Sequence, residues 1–293
     1  MLQAKIPPIN EIILWNNCTN HCMFCLQNIK NDPLCHLLED EKIEALERAY
    51  EKISGLTFSD VLLIGGEICN YTTDRTASKL LSLILLCRQK VEAGELRFVY
   101  LNTNLLYADQ KILYAICSLF EDYEDHLRLT TSYDIEGRFS SKDKEKLFFD
   151  NIKALTSRFP KQPVVINTIM TKALCESDFS TENLVKLTNA RSVVLIPFLS
   201  SKDCSNLEAT KEEVFNTLEK AEQLRPGYIR KTIESLDLKQ ERYLWEYHKD
   251  VKDLVECEAP NSSCGHNKNF SRIFNDGECY VCELKRKFAN YLE

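Results

Sequence analysis

Two hydrophobic rhythms alternate along this chain. Short runs rich in branched residues occur as EIILW (11–15), DVLLIGGE (60–67), LRFVYLNTN (96–104), HLRLTTSYD (126–134), PVVINTIMT (163–171) and SVVLIPFL (192–199). Between them lie longer segments whose apolar residues recur every three or four positions. The first, over 39–55, carries Ile43, Leu46, Tyr50 and Ile53, with Gly55 at its close. Others cover 76–90, 109–120, 142–159 (Phe148, Ile152, Leu155 and Phe159 on one face) and 179–190. A last one opens at TKEE (210–213), a capping-box pattern, with Val214, Leu218 and Ala221 on one side. Continuous branched runs predict buried strands and the three-to-four spacing predicts amphipathic helices.

Six strand–helix units in succession predict an α/β fold with a parallel sheet and helices outside it. Six is fewer than the eight that close a full barrel. The pattern leaves two choices, an open partial barrel or a doubly wound sheet. In either, chemistry is expected at the C-terminal ends of the strands. After Arg225-Pro226-Gly227 the rhythm changes. Residues 233–255 are charged and read as helical. The end of the chain is cysteine-rich, with a turn signal at Asn275-Asp276-Gly277. The expected division is therefore residues 1–225 as the main α/β domain and 226–293 as a helical linker plus a small C-terminal cysteine-rich module.

Composition narrows the function. The net charge of −7 argues against a nucleic-acid binder, which needs cations to neutralise phosphates. No apolar run approaches the ~20 residues of a membrane span, and the first residues lack a signal-peptide core. The expectation is a cytoplasmic protein with no membrane association. In that compartment clustered cysteines point to metal ligation rather than disulfides.

Of 13 cysteines, seven are clustered. Cys18, Cys22 and Cys25 form C-x3-C-x2-C just after the first strand. Cys257, Cys264, Cys279 and Cys282 form a set of four near the end. Four thiolates would close a zinc site or an iron–sulfur cluster. Three leave one position open, which is how metal sites do chemistry. The residues alone also allow a zinc site completed by His21 or by a distant ligand.

The triplet, with Phe24 just before Cys25, resembles the signature of the radical S-adenosylmethionine (SAM) enzymes. Gly65-Gly66-Glu67 at the end of the second strand is similar to the motif that contacts the methionyl amino group in that family. Asn102-Thr103-Asn104 and Ser132-Tyr133-Asp134 end the third and fourth strands, Asn167 lies on the fifth and Ile196-Pro197-Phe198 on the sixth, positions similar to those where the family meets SAM. The resemblance covers about residues 10–205. It implies a partial (β/α)6 TIM-like barrel. Cys18, Cys22 and Cys25 would hold a 4Fe–4S cluster, and Phe24, Gly65, Gly66, Glu67, Asn104, Ser132, Asn167 and Ile196 would bind SAM. It further implies reductive cleavage of SAM to a 5′-deoxyadenosyl radical that abstracts hydrogen, with a flavodoxin- or ferredoxin-type electron donor. Cys264, Gly277 and Cys282 resemble part of the SPASM/twitch extensions. That implies an auxiliary 4Fe–4S cluster on Cys257, Cys264, Cys279 and Cys282, with zinc as the alternative. Cys175 and Cys204, after the fifth and sixth strands, are candidate hydrogen-atom donors. Cys87 and Cys117 read as core thiols.

The expected substrate is a peptide or a small molecule. Only 17 residues precede Cys18, which tilts toward a small molecule or a peptide held by a separate partner. The outcome, whether oxidation, epimerisation or another C–H modification, is open. The competing readings are a zinc-stabilised binding module without catalysis and a radical SAM-like fold that has lost its activity.

Overall fold

The structure, a computed structural model, describes residues 9–18, 20, 22, 37–69, 73–197, 207, 209–230, 232–233, 284 and 286–291. Its strands are β1 (Ile9–Ile13), β2 (Ser59–Ile64), β3 (Leu96–Asn102), β4 (Leu127–Ser132), β5 (Val164–Met170) and β6 (Ser192–Pro197). The helices are α1 (Glu39–Ser54), α2 (Asp74–Glu92), α3 (Lys111–Leu119), α4 (Lys142–Arg158), α5 (Lys172–Glu176), α6 (Thr181–Thr188) and α7 (Lys211–Leu224).

The six strands make one sheet in the order β1-β2-β3-β4-β5-β6. Strands β1 to β5 pair in parallel, with Glu11 opposite Leu62, Leu62 opposite Tyr100 and Tyr100 opposite Arg128. A doubly wound sheet reverses its strand order at a switch point. The unbroken sequential order settles that choice in favour of the open, singly wound arrangement of a partial barrel.

Side chains alternate along β4 and β5 between fully buried and half-buried. Val61, Leu63, Val99, Leu101, Leu129 and Ile166 make the dry side. Helix faces match them. In α4, Phe148, Ile152 and Leu155 are fully buried, as their spacing predicts. In α1 the buried stripe is Ile43, Leu46, Ala49 and Ile53, whereas Tyr50 is 44% exposed. Small Ala49 fills the place expected for Tyr50.

Helix starts follow the capping chemistry. Thr73 and Ser141 accept the N–H groups of Thr76 and Lys144 at the starts of α2 and α4. At α7 the reciprocal box is present, with Glu213 N–H donating to Thr210 and Thr210 N–H to Glu213. Gly55 occupies the C-cap of α1 with φ −82°, so no left-handed turn requires a glycine there. Several boundaries move by a residue or two: β1 begins and ends two residues before the predicted run, α2 extends two residues beyond its expected range at each end, and the expected helix over 179–190 is the shorter α6, preceded by the separate turn α5. Thr171 starts α5 by accepting the Leu174 N–H, a local cap that periodicity does not register.

The chain divides into two compact units, residues 1–133, 137–167 and 184–193 in one, and 134–136, 168–183 and 194–293 in the other. The second has its own apolar cluster, including Met170, Leu195, Val214, Leu218, Ile229 and Phe288. No helix among the described residues is long and apolar enough to cross a membrane. Most of the expected C-terminal module, including Cys257, Cys264, Cys279 and Cys282, lies outside the described residues.

Candidate functional site

Within the first unit, the residues singled out by sequence gather where β1, β2 and β3 end. Leaving β1, the chain runs as Leu14–Asn17 along the exit of β2. Gly66 N–H donates to the Trp15 carbonyl at 2.8 Å and Glu67 N–H to the Asn17 carbonyl at 2.8 Å. Trp15 Nε1 donates to the Glu67 carbonyl at 3.4 Å. This contact explains the two glycines. A Cβ on Gly65 would lie 2.3 Å from the Trp15 carbonyl oxygen, and one on Gly66 would lie 2.4 Å from the carbonyl oxygens of both Asn16 and Asn17. The missing side chains let the segment leading into Cys18 pack against the end of β2.

Cys18 and Cys22 follow, and among the described residues N–H groups of Asn20, Asn104 and Arg138 point at their sulfurs. Asn20 bridges the pair, its backbone N–H donating to Cys18 Sγ (3.4 Å) and its Nδ2 to Cys22 Sγ (3.0 Å). From β3's exit, Asn104 Nδ2 donates to Cys18 Sγ at 3.4 Å. From the loop after β4, Arg138 Nη1 donates to Cys22 Sγ at 3.9 Å. Burial pushes the Cys18 thiol up from its ordinary value, and the Asn20 N–H works against that rise. Cys25 and Phe24 lie outside the described residues. Among the described residues no three His, Cys, Asp or Glu side chains form a metal-binding group.

Glu67 is fully buried and turned inward. Its Oε1 accepts the Cys69 N–H (3.0 Å), and both its oxygens accept from Thr103 Oγ1 (3.2 and 3.0 Å). Oε2 also accepts the Asn104 N–H. The Tyr107 hydroxyl lies 3.0 Å from that of Thr103. Burial pushes the Glu67 carboxyl up to about 7; the N–H donors and nearby Arg138 restrain the rise without cancelling it.

The segment that carries Asn104 is held tightly. Leu105 is fully buried with φ +56°, a left-handed conformation that costs a residue with a Cβ roughly 1–2 kcal/mol. Asn151 on α4 holds it there, donating through Nδ2 to the carbonyls of Leu105 and Tyr107 at 2.8 Å each. Asn104 Oδ1 accepts the Leu106 N–H at 2.7 Å, which turns the amide NH2 toward Cys18. Arg138 Nη2 reaches the Asn104 carbonyl at 3.4 Å.

Ser132, the last residue of β4, stands opposite Asn167 in the middle of β5, and both are half-buried. In the second unit Ile196 is a half-buried residue of β6, and Cys175 sits on α5, partly buried against that unit's apolar cluster. Cys175 lines a small cavity with Ser177, Phe179, Thr217 and Lys220, and burial pushes its thiol up. Cys204 lies outside the described residues. Cys87 and Cys117 are core thiols, as their helical positions predict.

Thr103, Tyr107, Arg138, Asn20 and Asn151 belong to this network and were not singled out as site residues from sequence. Two carry a signal in hindsight: Asn20 lies inside the cysteine triplet, and Thr103 lies inside the polar tripeptide that ends β3. Arg138 and Asn151 are brought in only by the packing of the loop after β4 and of α4.

No protein-family model matches the chain, and no curated protein matches it in sequence. Solved structures do match in fold. A histidine-tagged anaerobic sulfatase-maturating enzyme, anSMEcpe, with AdoMet bound, superposes with a TM-score of 0.52 at 13% identity, over 80% of this chain and 59% of that one. The native form of that enzyme with AdoMet and the Cp18Cys peptide gives 0.49 at 12% identity, over 80% and 61%. TYW1 with a lysine-pyruvate adduct gives 0.40 at 13% identity, over 73% of each chain. These neighbours are radical SAM enzymes. The chain spans about three fifths of the length of the sulfatase-maturating enzymes it resembles. The likeness is one of fold, and it identifies the sheet as an α/β partial barrel.

Proposed function

We propose that this chain is a radical SAM enzyme. The observation that carries the reading is the pair Cys18 and Cys22 beyond β1, with N–H donors from three separate segments converging on their sulfurs. Sulfurs surrounded by donors are prepared to carry negative charge, as iron-bound thiolates do. The donor set fits a 4Fe–4S cluster held by Cys18, Cys22 and Cys25, with soft ligands and one iron left for an exchangeable group. Such a cluster, when reduced with SAM bound, supplies a 5′-deoxyadenosyl radical able to take hydrogen from a substrate C–H bond.

The chain's own groups have definite tasks in this reading. Gly65 and Gly66 pin the Trp15–Asn17 segment and so fix where Cys18 begins, leaving backbone groups of the β2 exit for the methionyl end of SAM. The Glu67 carboxylate faces inward, so it contributes by holding Thr103 and Asn104 in place rather than by reaching the cofactor itself. Ser132, Asn167 and Ile196, on β4, β5 and β6, are assigned with Phe24 to the rest of SAM. Cys175 and Cys204 stay candidate hydrogen-atom donors. Cys257, Cys264, Cys279 and Cys282 are assigned to an auxiliary 4Fe–4S cluster, for which zinc is the alternative. The substrate is a peptide or a small molecule, and the electron donor is of the flavodoxin or ferredoxin type.

The test is anaerobic reconstitution followed by iron, sulfide and zinc counts and a 5′-deoxyadenosine assay with SAM and dithionite. About eight irons, falling to about four in the Cys18→Ala/Cys22→Ala/Cys25→Ala protein with SAM cleavage abolished, is the expected result. Zinc in place of iron, or no deoxyadenosine from a protein that holds its clusters, would overturn it.

A further inference from the structure

Among the described residues, N–H groups of different origin meet the sulfurs of Cys18 and Cys22. The two from Asn20 belong to the cysteine loop itself. The other two come from afar, Asn104 being 86 residues from Cys18 and Arg138 being 116 from Cys22. Resting on the reading above, we propose that Asn104, seconded by Arg138, sets how readily a cluster held at Cys18 and Cys22 accepts an electron.

The surroundings of Asn104 support a dedicated donor. Each of its polar groups has an assigned partner. The backbone N–H goes to Glu67, the carbonyl receives Arg138, Oδ1 receives Leu106 N–H, and Nδ2 is left for Cys18. With Oδ1 occupied, the amide has one orientation and presents N–H to sulfur. The next residue, Leu105, is held left-handed by the Asn151 amide across two carbonyls. Strain retained in a fully buried loop marks a place where position matters more than local stability. Here the position secured is that of a donor against a ligand sulfur.

The effect has a definite sign. Reduction adds one negative charge to the cluster, and part of it resides on the sulfurs. An N–H aimed at a sulfur stabilises the reduced form more than the oxidised form, so it raises the potential. The low dielectric around buried Asn104 and Arg138 strengthens the interaction. The guanidinium of Arg138 acts in the same direction with a full charge, at a longer distance.

The test uses the full chain, anaerobically reconstituted, in a dithionite redox titration followed by electron paramagnetic resonance without SAM. The cluster whose spectrum responds to added SAM identifies the Cys18 site. Asn104→Asp keeps the acceptor for Leu106 but puts a negative charge where the donor was, Asn104→Ala removes donor and acceptor without adding charge and so isolates the hydrogen bond, and Arg138→Met removes the cation. All three should retain iron and shift the couple to more negative potential, Asn104→Asp by the most. Its reduction equilibrium constant should fall at least tenfold, about 59 mV for one electron. Unchanged potentials in variants that retain iron would overturn the proposal. So would a folded Asn104→Asp protein that no longer holds iron, since Asn104 would then be a support for the cysteine loop. A parent protein that assembles no SAM-responsive cluster would instead defeat the enzymatic reading on which the proposal rests.

Discussion

The thiols on α2 and α3 and the thiols after β1 are the same chemical group in opposite settings. Cys87 and Cys117 are buried on amphipathic helices, and desolvation pushes both up to about 12. They behave as small apolar side chains. Cys18 and Cys22 are only partly buried and receive N–H donors from the cysteine loop, from β3's exit and from the loop after β4. Burial pushes the Cys18 thiol up as well, but there the Asn20 N–H and the Asn104 amide work against the rise. The same contrast separates the dry side of the sheet, where Leu63, Val99 and Leu129 are fully buried, from its C-terminal edge. At that edge Glu67, Thr103, Asn104 and Tyr107 are buried together and satisfy one another.

Removing thiols from each setting breaks this contrast most completely. Cys22→Ala should abolish iron binding at the first site, whereas Cys87→Ala should leave the iron count unchanged and cost about 1 kcal/mol of stability. Metal analysis and denaturant unfolding of both variants check this, and iron loss from Cys87→Ala would dissolve the distinction. Next in size is Gly66→Ala. Its Cβ would meet two carbonyl oxygens at 2.4 Å, neither of which can move without shifting the cysteine segment. A loss on the order of 3 kcal/mol is expected in urea unfolding of the metal-free protein, with weakened cluster assembly.

A pH titration sharpens the comparison from the acid side. Glu67 has an ordinary value of 4.5 and is pushed up to about 7 in the folded chain. Between those values the unfolded chain has lost this proton and the folded chain keeps it, so stability falls as pH rises. The loss through Glu67 is roughly 3 kcal/mol between pH 4.5 and 7, and is constant above. Glu67→Gln should remove that slope in the metal-free protein, and an unchanged slope would show that Glu67 ionises freely. The smallest effect concerns Tyr107→Phe, which removes the hydroxyl beside Thr103. About 1 kcal/mol should be lost, with the iron count retained.

Most of the fold was legible as rhythm. The six branched runs and the apolar stripes of α2, α4 and α7 predict elements of the right kind in the right order. The capping box at Thr210 is read correctly to the residue. The misses are local. Tyr50 satisfies the helical spacing as well as Ala49 does, but only the packed neighbours of α1 decide which of them has room inside. The cap at Thr171 makes the short helix α5 from a hydrogen bond that hydrophobic patterning does not register. For the candidate site, Cys18 and Cys22 were marked by their spacing, which has a chemical reason visible in one dimension, and Gly65, Gly66, Glu67 and Asn104 only by the resemblance to a family. Arg138 and Asn151 were not, because an isolated Arg in a loop and an Asn on a helix look like ordinary surface residues.

The order of strands and helices and the presence of three closely spaced thiols were thus determined by the sequence itself, because periodicity and short spacing act between near neighbours. The inward turn of Glu67, the steric need for Gly65 and Gly66, and the donors reaching Cys18 and Cys22 from 86 and 116 residues away were decided only in three dimensions. Hydrogen bonds and close contacts depend on a few tenths of an ångström between groups that only the completed sheet brings together.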